Sequence, residues 1–136
     1  MMVYFDTNVW VYAFSQNVDN ETQQQLAIKC IEEAMENETI IVSEVLLCEL
    51  AFVLAKVEEN DEDIDASLAF VSSYMKPTDT TMQLRVLELL TETHLYKSSF
   101  DVYHVAFSEY YEAKFVTFDK GFKHLKSHAK IELEIF

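Results

Sequence analysis

The 136-residue chain is half hydrophobic and carries a net charge of −14, from 10 basic and 24 acidic residues. This length and composition predict one domain, residues 1–136, with a packed core, and they exclude global disorder. The excess of acids argues against broad, nonspecific affinity for nucleic acid, and it favours a basic protein partner, divalent cations or simply solubility.

Strands and helices are predicted to alternate along the chain. The strands are short apolar runs, and the helices carry apolar residues three and four positions apart between residues that favour helix ends. Strands separated by helices predict a parallel sheet covered by helices, so we expect an α/β fold, a three-layer α/β/α domain with a mainly parallel central sheet. The predicted elements are a strand over residues 2–5, a short helix after Asn8, a helix from 19 to about 37, a strand over 39–42, a helix from 43 to about 57, a helix from 61 or 63 through 74, helices over 80–93 and 101–113, a strand over 114–118 and a final strand over 131–136.

Several classes of protein are excluded by what the sequence lacks. With one Gly and one Pro, the chain cannot form the glycine-rich phosphate loops of Walker-type and dinucleotide sites. No apolar stretch approaches the roughly 20 residues of a membrane helix, and the N-terminus shows no secretory signal. Cys30 and Cys48 have neither disulfide nor metal-site spacing and are predicted to be buried small side chains, which makes a reducing cytoplasm the simplest location.

Two acids directly follow predicted strands. Asp6 ends the apolar run over residues 3–5, and Asp119 ends the run over 114–118. Because ligands of open α/β sheets bind beyond the carboxyl ends of the strands, both acids are predicted to lie where the chemistry takes place. The alternatives are that Asp6 or Asn8 caps the following helix and that Asp119 is an ordinary turn residue before Gly121.

Two further acids lie on predicted helices. Glu49 has only apolar neighbours three and four positions away, so its burial is costly unless the carboxylate is paired or binds a metal. The alternative for Glu49 is a rim position that reaches water. Asp101 lies near the start of its helix, where capping or interaction with the helix dipole is the alternative role. Glu44 is in the first helical turn, where the dipole alone explains a carboxylate.

Converging carboxylates predict a metal site. Three or four such groups at one edge of the sheet repel each other and raise their own pKa values unless a cation neutralises them. Oxygen-only ligands favour Mg²⁺ or Mn²⁺, which activate water and hold phosphate oxygens, so the implied chemistry is hydrolysis of a phosphodiester bond. A rival interpretation is an aspartyl-nucleophile phosphatase, which also has an Asp after its first strand. That class expects a second Asp two residues later, where this chain has Asn8.

Four short motifs follow one another along the chain. They are Asp6-Thr7-Asn8 after a strand, a helix with Ser43 and Glu49-Leu50, Asp101 followed by Ala106, and Thr117-Phe118-Asp119. In this order, and over essentially the whole chain, they resemble the PIN-domain nucleases, whose common small bacterial and archaeal members are the VapC-type toxins of toxin–antitoxin pairs. The resemblance implies a metal-dependent endoribonuclease with an RNA substrate, a small antitoxin protein as partner and often a homodimer.

The resemblance also implies roles for individual side chains. Thr7 and Asn8 would orient the metal-binding acids, and the Thr117 hydroxyl would support them. The chain departs from the family at Glu112-Ala113, where a Gly often precedes the last catalytic strand. The acids implied to bind Mg²⁺ or Mn²⁺ are Asp6, Glu49, Asp101 and, as the fourth and more variable one, Asp119.

The charges are unevenly distributed. Acids at positions 58, 59, 61, 62, 63 and 65 form an acidic patch, which we interpret as a solvated helix face. Half of the basic residues lie between Lys114 and the C-terminus, around Asp119. Lys120 and Lys123 are the candidate contacts for RNA phosphates, a solvated C-terminal face being the alternative.

His104 lies one helical turn after Asp101, and we predict that it is partly buried and hydrogen-bonded to that acid. A role in supporting the acids or as a general base is the alternative. Trp10 and the tyrosines are predicted to belong to the core. Another function, from a different class, is a catalytically idle interaction module that keeps the acids for folding.

Overall fold

A computed structural model of the chain describes residues 1–16, 18–57 and 59–136. Two short 3₁₀ helices, Tyr96–Ser98 and Lys120–Leu125, accompany the longer elements. None of the described helices is long and apolar enough to cross a membrane. The strands and α-helices, in chain order, are β1 (Val3–Phe5), α1 (Thr7–Phe14), α2 (Glu21–Glu36), β2 (Ile40–Ile41), α3 (Glu44–Lys56), α4 (Asp61–Ser72), α5 (Thr80–Thr93), α6 (Ser99–Tyr110), β3 (Lys114–Thr117) and β4 (Leu133–Ile135).

The strands of the described residues pair in parallel and form a sheet in the order β2-β1-β3-β4. β1 lies inside the sheet, because Val3 is beside Ile40 of β2 and beside Lys114 of β3. The same register places Phe5 beside Val116. The residues that follow β1 and β3 therefore emerge next to each other at one edge of the sheet.

Helices cover both faces of the sheet, since successive side chains of a strand point to opposite faces. Tyr4 packs against Phe107 of α6 with ring centroids 4.6 Å apart, whereas Phe5 packs edge-on against Trp10 of α1 at 5.7 Å. All four rings are buried. α2 packs on α1, and α5 packs on α6. The predicted three-layer α/β/α fold with a parallel sheet is confirmed.

The turn from α6 into β3 differs from the prediction. We expect a helix over residues 101–113, but α6 ends at Tyr110. Glu112 then adopts a φ of 52°, in the left-handed region where a side chain is strained and glycine is favoured. Glu112 belongs to the Glu112-Ala113 pair, which stands where the resemblance to the PIN-domain nucleases implies a Gly. The chain thus keeps the left-handed turn without the residue that makes it easiest.

Some burial predictions are wrong. Cys48 is exposed and lines an open groove on α3, and Cys30 is only half-buried. Trp10 is fully buried, as predicted, but the tyrosines divide between core and surface. Tyr96 and Tyr110 are 62% and 41% exposed, because they lie where no other element covers them completely.

The acidic patch lies mostly at the start of α4. The helix dipole favours the carboxylates of its first turn, and the exposure of the α4 acids confirms the solvated face for this part of the patch. Glu59 is half-buried instead, and its Oε1 accepts hydrogen bonds from Ser15 Oγ and the Gln16 N–H, both at 2.7 Å. Position 58 lies outside the described residues. The exposed acids are Asp61, Glu62, Asp63 and Asp65.

Candidate active site

Acids from three different elements line one cleft at the carboxyl edge of the sheet. Asp6 follows β1, Glu49 lies in the middle of α3 and Asp101 lies in the first turn of α6. The fold thus brings together three acids that are far apart in sequence. The cleft has a volume of about 240 Å³ and is lined by Asp6, Thr7, Asn8, Val11, Tyr12, Glu49, Val53 and Asp101.

Asp6 is 7% exposed and is held by two hydrogen bonds. Its Oδ1 accepts from the Thr7 N–H at 2.8 Å, and its Oδ2 accepts from Thr117 Oγ1 at 2.7 Å. The first bond makes Asp6 the N-cap of α1, so the capping alternative holds for this residue. Capping does not exclude a second role, because a carboxylate oxygen can accept more than one interaction.

Thr117 ties the ends of β1 and β3 together. Its hydroxyl donates to Asp6 and accepts from the Asp119 N–H at 2.9 Å and, more weakly, from Asn8 Nδ2 at 3.4 Å. Asn8 Oδ1 in turn accepts from the Phe118 N–H at 3.3 Å. These bonds fix the orientation of the Asp6 carboxylate, as a supporting role for Thr117 and Asn8 requires.

Asp119 is exposed and does not belong to the lining of the cleft. Its Oδ1 accepts from the Gly121 N–H at 2.8 Å and caps the 3₁₀ helix Lys120–Leu125. A Cβ at Gly121 would lie 3.0 Å from that oxygen, which favours glycine there. Lys120 and Lys123 are exposed on the same 3₁₀ helix. Asp119 therefore occupies the turn position that the alternative interpretation expects, beside two cations.

The buried position of Asp6 is electrostatically costly. Burial raises the pKa of Asp6 above its ordinary value, and the charge of Glu49 adds to the rise. Attraction to His104 and the hydrogen bonds from Thr117 and Thr7 lower the pKa and offset part of this effect. The carboxylate is thus stabilised by its neighbours but not fully compensated.

The pKa of Asp101 is raised as well. Burial raises its pKa to about 6, and the charge of Asp6 is the next largest cause. Asp119 and Glu49 raise the pKa further, whereas His104 lowers it. All the predicted acids therefore interact electrostatically with Asp101, including Asp119 from outside the cleft. This mutual repulsion is what a bound cation would relieve.

The donor groups of the cleft fit a hard divalent cation. Carboxylate oxygens are the ligands that Mg²⁺ and Mn²⁺ prefer. In addition, Thr7 Oγ1 is buried at the cleft and has no hydrogen-bond partner among the described residues. No three His, Cys, Asp or Glu side chains in the described ranges are already close enough to share one ion. Repulsion between the carboxylates opposes a closer approach in the absence of a cation.

His104 does not bond Asp101, so that prediction is wrong. The imidazole is fully buried and lies stacked 6.2 Å from the ring of Phe115, facing the sheet and not the surface of its own helix. Nε2 bonds Glu49 Oε1 in a short contact, and Nδ1 bonds the Tyr4 hydroxyl at 2.6 Å. The sequence reasoning missed Tyr4. A hydroxyl-bearing ring inside a buried strand was the available sign, since such a hydroxyl needs a partner.

Comparisons with known proteins identify the family of the chain. The PIN domain family model matches residues 3–127. Among solved structures, the chain is similar to the crystal structure of VapBC2 from Rickettsia felis bound to a DNA fragment from their promoter, with a TM-score of 0.71, 21% identity and coverage of 99% of this chain and 98% of that chain. No curated protein sequence matches significantly. At this identity the structural likeness shows the fold, and the family match shows the family: the chain belongs to the PIN domain family.

Proposed function

We propose that this protein is a metal-dependent endoribonuclease that acts as the VapC-type toxin of a toxin–antitoxin pair. PIN-domain nucleases are hydrolases that act on nucleic acids, and this chain belongs to the family. The observation that carries the proposal is the convergence of Asp6, Glu49 and Asp101 on one cleft. We further propose a cytoplasmic location and a homodimer.

In this proposal the three cleft acids hold Mg²⁺ or Mn²⁺. A bound ion of this kind activates water and neutralises charge on the scissile phosphate and the leaving 3′-oxygen. Thr117 keeps the Asp6 carboxylate oriented through its hydrogen bond, and Asp119 adds negative potential from the rim. The expected products carry a 5′-phosphate and a 3′-hydroxyl.

The RNA backbone needs cations near an otherwise acidic cleft. Lys120 and Lys123 are exposed on the turn that follows β3, close in sequence to the rim acid Asp119. We propose that they contact phosphates of the substrate. Arg85, the one arginine of the sequence, is a weaker candidate for this role, because its guanidinium is engaged by Glu109 and Glu88.

An apolar groove beside the cleft supports a protein partner. It has a volume of about 650 Å³, and its Phe52 and Phe100 side chains are 66% and 61% exposed. Two acids, Glu44 and Glu49, also line it. This combination suits an apolar segment that carries Lys or Arg, as the excess of acids in the chain also favours. We propose that an antitoxin binds here, in line with the VapBC2 structure that the fold resembles.

Replacement of Asp6 by Asn tests the activity. We expect Mn²⁺-dependent cleavage of single-stranded RNA to fall by more than about a hundredfold, because removal of a direct ligand costs more than loss of a residue that only supports one. Asp65→Asn is the matched control, since it removes an exposed acid from α4 and should leave cleavage unchanged. Circular dichroism checks that both variants fold. Undiminished cleavage by folded Asp6→Asn would refute the assignment.

The second candidate is an idle interaction module, since in the described ranges no three His, Cys, Asp or Glu side chains lie close enough to share one ion. The two candidates differ in metal binding. A nuclease binds Mn²⁺ in the wild type and loses that binding in Asp6→Asn, whereas an idle module shows no Mn²⁺-dependent rise in melting temperature.

A further inference from the structure

A continuous chain of hydrogen bonds runs through the core and ends on a cleft acid. It begins at the start of α3, where the Leu46 N–H donates to Ser43 Oγ at 3.0 Å. Ser43 Oγ lies 2.6 Å from the Tyr4 hydroxyl, which lies 2.6 Å from His104 Nδ1. His104 Nε2 then bonds Glu49 Oε1. The three side chains between these ends are all fully buried.

The hydrogens of this chain can be placed in one way when the imidazole is neutral and Glu49 is ionised. The carboxylate only accepts, so His104 Nε2 must carry its hydrogen and Nδ1 must accept from the Tyr4 hydroxyl. The Tyr4 oxygen then accepts from the Ser43 hydroxyl, which itself accepts from the Leu46 N–H. Each donor group then makes one hydrogen bond, and every bond of the series is donated in the direction of Glu49.

We propose that Tyr4 and His104 are positioning residues that hold the Glu49 carboxylate in the orientation needed for the metal. Glu49 needs such support more than Asp6 does. Its side chain is 29% exposed and has one more rotatable bond, whereas Asp6 is shorter and fixed by two hydrogen bonds. Ligating carboxylates are themselves commonly hydrogen-bonded, and loss of such support costs about ten- to hundredfold in metal affinity.

This series of hydrogen bonds also joins separate parts of the fold. Tyr4 lies on β1 and His104 on α6. Ser43 lies just before α3, and Glu49 lies within it. His104 bonds Oε1 of Glu49, which leaves Oε2 as the oxygen that can bind a cation. The inference rests on the proposed function, because it assigns work to these residues only if Glu49 binds metal.

Tyr4→Phe is the sharpest variant, since it removes one hydroxyl and keeps the buried ring. We expect it to weaken Mn²⁺ binding about tenfold in isothermal titration calorimetry. Binding that disappears in Asp6→Asn defines the site. Ser108→Ala is the matched control, because Ser108 is a buried residue of α6 whose hydroxyl donates to the His104 carbonyl, outside the chain. It should leave the Mn²⁺ affinity unchanged.

A double-mutant cycle with Glu49→Ala separates positioning from general loss of stability. If Tyr4 acts through Glu49, Tyr4→Phe should have no further effect on Mn²⁺ affinity once Glu49 is removed. An equal loss in both backgrounds overturns the proposal. Unchanged or tighter Mn²⁺ binding by Tyr4→Phe alone also overturns it, the latter by showing that His104 competes with the metal for Glu49. If the wild type binds no Mn²⁺ and cleaves no RNA, the proposed function itself fails, and the positioning role with it.

Discussion

Helix α6 carries a charged cluster near each end, and the two clusters are built differently. At its start, Asp101 faces other acids across the cleft, and its pKa is raised to about 6 chiefly by burial and by the charge of Asp6. Near its end, Glu109 faces Arg85 of α5, whose Nε lies 2.7 Å from Glu109 Oε1. The first cluster holds like charges, and the second holds opposite ones.

The second cluster is well compensated. The Arg85 guanidinium also donates to Glu109 Oε2 at 3.2 Å and to the His128 carbonyl at 3.1 Å, so it joins α5, α6 and the C-terminal segment. Glu109 Oε2 further accepts from the Lys130 N–H at 3.2 Å. Arg85 and Glu109 are thus paired and fully bonded, whereas the acids of the cleft outnumber His104, whose attraction offsets part of their repulsion. The difference is what the proposed cation site predicts, because a bound ion would supply the positive charge that offsets the repulsion.

The largest change in stability is expected from Glu109→Gln. Glu109 is 8% exposed and Arg85 is 14% exposed, so the substitution leaves a partly buried guanidinium without its main partner. We expect a loss of about 2 kcal/mol in the free energy of unfolding, since hydrogen bonds to charged groups contribute on this scale. Urea unfolding at pH 7.5 measures it.

Glu88→Gln is the control for that result. Glu88 also pairs with Arg85, but it is 57% exposed and one turn away on the same helix. We expect its loss to cost less than about 0.5 kcal/mol. Equal losses in the two variants would show that burial does not distinguish the two carboxylates.

Asp101→Asn should raise the free energy of unfolding instead of lowering it. The folded-state pKa of Asp101 is about 6 against an ordinary value of 3.8, so the native state binds more protons and loses stability as the pH rises between these values. Above pH 7 the substitution should therefore stabilise the metal-free protein, by about 1 kcal/mol after allowance for solvent screening. At pH 3.5 the two proteins should be nearly equal. Thermal unfolding in EDTA across this pH range measures the effect.

At pH 7.5, Mn²⁺ should reverse the order of the melting temperatures, so that the wild type melts above Asp101→Asn. A bound cation stabilises the wild type by RT ln(1 + c/Kd), where c is the concentration of free Mn²⁺, and it should do less for Asp101→Asn, which binds it more weakly. A metal-free variant that melts below the wild type at pH 7.5 would contradict the view that the cleft is strained by repulsion.

The sequence was sufficient to predict the fold and the positions of the cleft acids. β1 is an apolar run followed directly by Asp6, Asp119 comes two residues after the end of β3, and a parallel sheet places both strand ends at one edge. Glu49 was identified because its helical neighbours are apolar, which does not depend on tertiary structure. The predictions for Asp6 and Glu49 used local patterns and a general rule for α/β sheets, whereas the choice of Asp101 came from the resemblance to the PIN-domain nucleases.

The partners of buried polar groups could not be predicted in the same way. His104 is one turn from Asp101 in sequence, yet its ring points into the core and reaches Glu49, which is 55 positions away. Which of two acids a histidine meets depends on how α3 and α6 pack, and no periodicity encodes that. The exposure of Cys48 could not be predicted for a similar reason. An apolar-rich helix pattern does not show which face of the helix is left uncovered.

The smallest loss in the free energy of unfolding is expected on breaking the ion pair between Lys114 and Glu134, which joins β3 to β4. Its atoms lie 2.7 Å apart, close to the Arg85–Glu109 distance, but the side chains are 28% and 34% exposed. Water and salt screen such a pair, so Lys114→Gln should cost less than about 0.5 kcal/mol and the difference should vanish in 1 M NaCl. Parallel urea unfolding of Lys114→Gln and Glu109→Gln at low and high salt compares the two pairs directly. A salt-insensitive loss at Lys114 as large as that at Glu109 would show that distance, and not burial and the number of bonds, determines what an ion pair contributes in this protein.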